Sequence, residues 1–425
     1  MFYKQAEDKV NEYIKNLNAI FEGEIIMSGV AKHIFEHDIR DILTMWNKEI
    51  KTIRPLLPRR YSLEDIINLL KKFYPYEWRS VGFKYKYYYV KDRHIKKRFG
   101  KPRYNMKRPE KLLLDVPCCK QVLSDKGMQD HFNKYAEEDR IQKQKELWKK
   151  RKPKIERVKH KIDLALAKTQ QVTPFFIDQL IGLYKRKNTN QKDRRYILLE
   201  LEKYYSDKII QFFFKLNDTE LNMQLREQAF HHLQVFDYQP RLRRQEYMQV
   251  HTGNKKKKEY LKNVYAFETY EIPKNPNELE YRIENSKEQK IKEYDFFISH
   301  SSKDATEVQK LIQFENHNDK NIFCDWINDI DYLKRHLLCK ATLKVIEKRL
   351  EQSKAMIFVS SSNSCNSVWC KYELNYFREL GRPIYCISKE SIVEKTFLIE
   401  EMKGDWFIDP NYKNLALVEG EAICQ

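Results

Sequence analysis

Near the C-terminus, Val368-Trp369-Cys370-Lys371-Tyr372-Glu373-Leu374 sets a tryptophan and a glutamate four residues apart. On a helix that spacing stacks both side chains on one face. The apolar run Met356-Ile357-Phe358-Val359 and a serine-rich turn come just before, the order of a strand feeding a helix. A carboxylate beside a large aromatic at such a turn can hold a sugar ring against the indole and stabilise positive charge developing on the ring. The plain structural alternative is a solvated glutamate and a core tryptophan.

Other chemistries find less footing. The chain has only ten glycines, and none forms a phosphate-binding loop. No carboxylate cluster stands at metal spacing. The adjacent His231-His232 lack partners at ligand spacing, so they read as helix-surface histidines and no metal is expected. The eight cysteines include no C-x-x-C pair, and five fall in or beside apolar stretches of the C-terminal part. That usage fits reduced, packed thiols of a cytoplasmic protein. The first residues lack the apolar core of a secretion signal, and no uncharged apolar run approaches the ~20 residues needed to span a bilayer.

The residues around the Trp-Glu pair need a scaffold, and the last third of the chain supplies its pattern. Short apolar segments at Tyr294–Ser299, Ile322–Trp326, Ala355–Val359 and Pro383–Ile387 alternate with helical patterns, and Asp405–Ile408 offers a fifth strand. Such alternation predicts a doubly wound parallel sheet, because parallel strands need helical crossovers on both faces. Ligands in these sheets bind outside the carboxyl ends of the strands. Here those ends carry Ser299-His300-Ser301-Ser302, Asp325-Trp326 and Ser360-Ser361-Ser362-Asn363.

Upstream, the pattern is mainly helical. Val10, Ile14, Leu17 and Phe21 recur at helical spacing and stop at Gly23; a second helix opens at Ser62 with Asp65 as capping partner and ends before Pro75. Phe83-Lys84-Tyr85-Lys86-Tyr87-Tyr88-Tyr89 alternates aromatic with basic residues and predicts a strand, either a base-stacking surface or a half-buried strand with one wet face. A charged helix from Tyr135 runs into the basic knot Lys149-Lys150-Arg151-Lys152-Pro153-Lys154, where the proline is expected to break it. This knot is either a solvated helix end or a polyanion contact. Thr173-Pro174 opens three further helical segments at 174–185, 193–215 and 219–236, with turns at Ser206-Asp207 and Asn217-Asp218. These features divide the chain into a basic mixed region at 1–170 with a small β element, a helical stack at 171–250, a linker at 251–290 and an α/β domain at 291–425.

Charge follows the same division. Residues 291–425 hold 18 Lys and Arg against 21 Asp and Glu, a net of −3, which leaves residues 1–290 with 62 against 40, a net of +22. Such a field suits a polyanionic partner, nucleic acid or an acidic protein face, although a lysine-rich solvated surface gives the same count.

Taken as a set, Tyr294-Asp295-Phe296-Phe297-Ile298-Ser299-His300-Ser301-Ser302-Lys303-Asp304, Asp325 closing the second strand, Ser353 to Ser362 around the third, and Trp369-Cys370 followed by Glu373-Leu374 resemble a bacterial Toll/interleukin-1 receptor (TIR) domain. The resemblance covers the last third of the chain. It implies a flavodoxin-like fold and, as in several such domains, cleavage of NAD⁺ as substrate with no separate cofactor. By matching position, Glu373 would be the catalytic carboxylate, stabilising oxocarbenium character at the ribose carbon. Trp369 and Tyr372 would flank the substrate, Ser299, His300 and Ser301 would offer hydrogen bonds, Asp325 and Trp326 would line the opposite wall, and Lys334 or Arg335 would meet the pyrophosphate. One departure stands out: 325–353 contains neither glycine nor proline, where the family usually has a loop that mediates assembly. The resemblance further implies an NAD⁺ glycohydrolase effector of anti-phage defence, homo-oligomeric when active; the basic N-terminal region, which the resemblance does not cover, would bind a nucleic-acid or protein trigger. A cyclase releasing cyclic ADP-ribose and a non-enzymatic scaffold are the alternatives.

Overall fold

The computed structural model describes residues 30–238, 259, 268–333, 339–403, 408–410 and 412. The expected helix before Gly23, the segment Asp405–Phe407, Lys334 and Arg335 lie outside the described residues. The chain forms two compact units, each discontinuous in sequence. One takes the residues up to Ala165 together with Asp207–Glu268; the other takes Leu166–Ser206 and the residues from Thr269 onward.

The first unit is helical. Its capping prediction at Ser62 holds: the Ser62 backbone N–H donates to Asp65 Oδ2 at 2.8 Å, and the Leu63–Phe73 helix buries Ile66, Ile67, Leu70 and Phe73. The tyrosine run, by contrast, is not a strand. It lies inside the Pro75–Phe99 helix, which Pro75 opens at its first position and Gly100 closes at φ 79°, a left-handed angle suited to glycine. Aromatic–basic alternation mimicked a period of two, but burial follows the helical period through Val81, Lys84, Tyr88, Lys91 and Ile95. Lys84 is buried because it meets Asp38 Oδ2 at 2.8 Å, to which Tyr88 also donates at 2.7 Å.

Three more expectations fail for local reasons. The Glu137–Ala167 helix continues through Pro153. Arg151, two residues earlier, braces it by donating to Phe73 O at 2.8 Å and Glu77 Oε1 at 2.7 Å. Asn217 and Asp218 do not open a helix but lie within Asp207–Thr219; the next helix, Met223–Val235, is capped by Asn222, whose Oδ1 accepts from Leu225 N at 3.1 Å. On that helix His232 is buried, not superficial. It stacks on Phe213 at 4.1 Å, and burial pulls its pKa down to about 3, so it stays neutral.

The second unit contains a five-stranded sheet in the order β2-β1-β3-β4-β5, with β1 Tyr294–Ser299, β2 Ile322–Phe323, β3 Ser353–Ser360, β4 Ile384–Ser388 and β5 Glu400–Glu401. The first four are parallel; β5 pairs antiparallel with β4, so the sheet is mixed at one edge. Both faces are covered. Leu350, Leu374 and Phe377, from the Lys340–Glu351 and Val368–Glu379 helices, pack on one side, and Val308, Leu311 and Ile312 from Ala305–His317 pack on the other. The span expected to be a linker contains the Pro276–Asn285 helix, whose Leu279 and Ile283 pack with Tyr332 and Val345. The glycine-free segment after β2 begins as a short helical turn, Asp325–Asn328.

Candidate active site

Parallel strands deliver their carboxyl ends to one side of a sheet, and the tips of β1 and β2 bring the predicted residues together. Ser299 ends β1 and is fully buried. Its Oγ donates to Glu373 Oε2 at 2.6 Å, a short bond of the kind charged acceptors make. Glu373 lies one turn after Trp369 on the Val368–Glu379 helix, whose first turn is capped by Ser367 Oγ accepting from Cys370 N at 3.3 Å. Among the described residues no cation pairs with Glu373. Burial therefore dominates its electrostatics and pushes the carboxyl up to about 8; the Ser299 hydroxyl pulls the other way, and the Asp325 charge adds to the rise.

His300 follows directly. Its Nδ1 lies 3.2 Å from Ile298 O, the contact of a ring N–H donating to a carbonyl, and its Nε2 lies 4.0 Å from Asp325 Oδ1. Asp325 itself is exposed and accepts from the Trp326 backbone N–H at 2.8 Å. Nε2 of His300, Sγ of Cys324 and a carboxylate oxygen of Asp325 lie within 4.8 Å of one another, a grouping the sequence reading missed because it joins two strand ends. Burial holds the Cys324 thiol well above its ordinary pKa, which disfavours the thiolate a metal would need.

The remaining predicted residues have other partners. Trp369 is half-buried against the sheet core and also touches the cluster of Leu343, Tyr372 and Tyr412, so only part of its indole is free. Tyr372 is buried, and its hydroxyl donates to Glu347 Oε1 at 2.5 Å on the neighbouring helix, away from Glu373. Ser301 Oγ accepts from Lys303 N at 3.4 Å and starts the turn that carries Asp304. Trp326 packs on the core beneath β2. Beside these, buried Asp304 accepts from Ser361 Oγ at 2.6 Å, Asn363 Nδ2 at 3.0 Å and Lys389 Nζ at 2.8 Å, lacing the tips of β1, β3 and β4 together.

A further positioning residue lies far away in sequence. Gln170 is fully buried; its Oε1 accepts from Ile322 N at 3.0 Å, while its Nε2 donates to Ile322 O and, at 3.3 Å, to Asn328 Oδ1. Asn328 Oδ1 also accepts from Cys324 N at 2.9 Å. The side chain thus completes the backbone pairing of the edge strand β2 and grips both ends of the turn that presents Asp325 and Trp326. Only an apolar or turn signal at position 170 would have flagged it in the sequence, and there is none.

The sheet is mixed, covered by helices on both faces, and carries the Ser299–Glu373 pair at its carboxyl edge; the family model for the TIR domain matches residues 296–394. The chain is 36% identical over 365 residues to the putative cyclic ADP-D-ribose synthase TIR2 of Cytobacillus dafuensis, an alignment spanning 85% of this chain and 92% of that protein. It belongs to that family of bacterial TIR-domain proteins. It is also 32% identical over 117 residues, 28% of this chain and 58% of the other, to the probable 3' cyclic ADP-D-ribose synthase ThsB' of Bacillus cereus (strain MSX-D12). No solved structure matches the chain.

Proposed function

We propose that this protein is a TIR enzyme that cleaves the nicotinamide–ribose bond of NAD⁺ and closes the resulting ADP-ribose into a cyclic signal. The observation that carries the reading is the Glu373 carboxyl held by the Ser299 hydroxyl at the tip of β1. Bond cleavage sends its electron pair to the nicotinamide nitrogen, which leaves neutral and needs no acid. The ribose carbon left behind has oxocarbenium character, which the Glu373 carboxylate stabilises. A hydroxyl of the same molecule then attacks that carbon and gives up its proton, for which Glu373 is the acceptor at hand. Attack by water instead gives linear ADP-ribose. Cyclisation is favoured over hydrolysis by the activity in the names of both relatives.

Asp325 offers an acceptor and His300 a ring nitrogen to substrate hydroxyl or amide groups, and Trp369 offers the exposed part of its ring. In a cell, such an enzyme serves as an anti-phage effector, held in check until the N-terminal region meets its trigger and the protein assembles; the defence role and assembly rest on the sequence resemblance, the trigger on the basic charge of residues 1–290. The test is to incubate purified protein with NAD⁺, alone and with nucleic acid, and to resolve the products by mass spectrometry. Nicotinamide with a cyclic ADP-ribose isomer is expected, and Glu373→Gln should cut the rate by on the order of 10²–10³ or more. Full activity in Glu373→Gln would overturn the assignment, and linear product alone would overturn cyclisation.

A further inference from the structure

The basic knot Lys149–Lys154 is not absorbed by the catalytic reading, and the structure shows where it goes. In the N-terminal unit, Lys150, Arg151 and Lys154 share one face of the Glu137–Ala167 helix and border a cavity of about 380 Å³. Across the cavity stands the face of the Val30–Ile53 helix that carries Met45, Lys48 and Thr52. Positions 45, 48 and 52 on one helix and 147, 150, 151 and 154 on the other follow the helical period, so both walls are continuous faces.

The chemistry of the lining is specific. Arg151 is fixed: its guanidinium lies 4.1 Å over the Tyr74 ring and donates to Phe73 O and Glu77. Glu77 is thereby engaged, and the other acidic group, Glu49, is buried in the wall. Lys48, Lys150 and Lys154 are exposed and form no ion pair among the described residues. Three ammonium groups from two helices, in no ion pair among the described residues, thus border one cavity together with Met45, Leu147, the Arg151–Tyr74 stack and the buried carboxyl of Glu49. Converging lysines suit phosphate oxygens, and a planar guanidinium on an aromatic ring suits a stacked base. The volume stands at the small end of ligand pockets.

We propose that this cavity binds a single nucleoside phosphate, with its phosphates on the lysines and its base on the Arg151–Tyr74 stack. The site belongs to the unit that does not contain Glu373, so it is a second ligand site, independent of the catalytic reading. Isothermal titration of the full chain with ATP, with inorganic pyrophosphate and with a single-stranded oligonucleotide tests it. ATP should bind saturably, and the double variant Lys150→Glu/Lys154→Glu should weaken it roughly tenfold or more. Lys152→Glu is the control for a diffuse field: Lys152 is exposed on the same helix, pairs with Glu156 at 3.7 Å and does not border the cavity, so its loss should change binding by no more than about twofold. Circular dichroism and thermal unfolding check that both variants fold. Four results would overturn the proposal: no saturable ATP binding, equal loss in the control, pyrophosphate binding as tightly as ATP, or an oligonucleotide that ATP cannot displace.

Discussion

At the scale of single residues, the carboxyl of Glu373 is in tension between burial, which favours its neutral form, and the Ser299 hydroxyl, which favours its anion. If the anion is the active form, kcat/KM for NAD⁺ should climb roughly tenfold per pH unit below about 8 and level off above it. Ser299→Ala removes the group that holds the pKa down, so its profile should shift to higher pH, with a loss of about tenfold at neutral pH. A pH–rate profile that is unchanged in Ser299→Ala would show that the hydrogen bond does not tune the acid. Both residues were legible in the sequence because each stands at a fixed place in a strand–turn–helix pattern. Tyr372 shows the limit of that reading. Its place in the motif is plain, but only the packed neighbouring helix shows that its hydroxyl goes to Glu347.

Among the elements, β1, β3 and β4 were readable as apolar runs because they are buried on both faces, and the helix at Ser62 as a capping pattern. The Pro75–Phe99 helix was not, since alternating tyrosine and lysine satisfies a period of two and a period of 3.6 alike, and a buried Lys84–Asp38 pair leaves no trace in hydropathy. Strand β2 is only two residues long and lies on an outer edge of the sheet, and Gln170 compensates by pairing with both backbone groups of Ile322. Gln170→Ala should leave Ile322 unpaired and free the Asp325–Trp326 turn. We expect a rise in KM of about tenfold with a smaller change in kcat, together with a loss of about 1–3 kcal/mol of stability in denaturant unfolding. Lost stability with unaltered KM would reduce Gln170 to a purely structural role.

On the scale of the whole molecule, the enzyme-bearing unit reaches back to Leu166, well upstream of the matched TIR segment. A buried charge cluster ties the two stretches together. Glu200 meets Lys203 at 2.8 Å and is bonded to Lys292, and Arg349 Nε meets Asp329 at 2.8 Å, with Lys203 3.5 Å from the same Asp329. Burial alone would push Glu200 up, but Lys203 and Lys292 outweigh it and hold it well below the usual carboxylate range. Its contribution to stability is therefore present above the unfolded value near 4.5 and is lost as acid protonates the folded form. Glu200→Ala strands Lys292 in the interior and should cost about 3–5 kcal/mol, seen as a lowered unfolding midpoint at neutral pH. None of this was readable beforehand, because residues 92 positions apart in sequence, as Glu200 and Lys292 are, show no joint pattern until the fold brings them together.

The reach of this unit bears on how its catalytic half can be handled in isolation. A fragment cut at the start of the sheet would leave behind the glutamine that shields β2 and the glutamate that neutralises Lys292. An open strand border and a stranded interior ammonium would then invite sticking between copies, so that a failed preparation of the short piece would say nothing about its chemistry. Supplying residues 166–206 alongside residues 269–425, as two chains made together, restores both missing partners and is the way to obtain that half in soluble form.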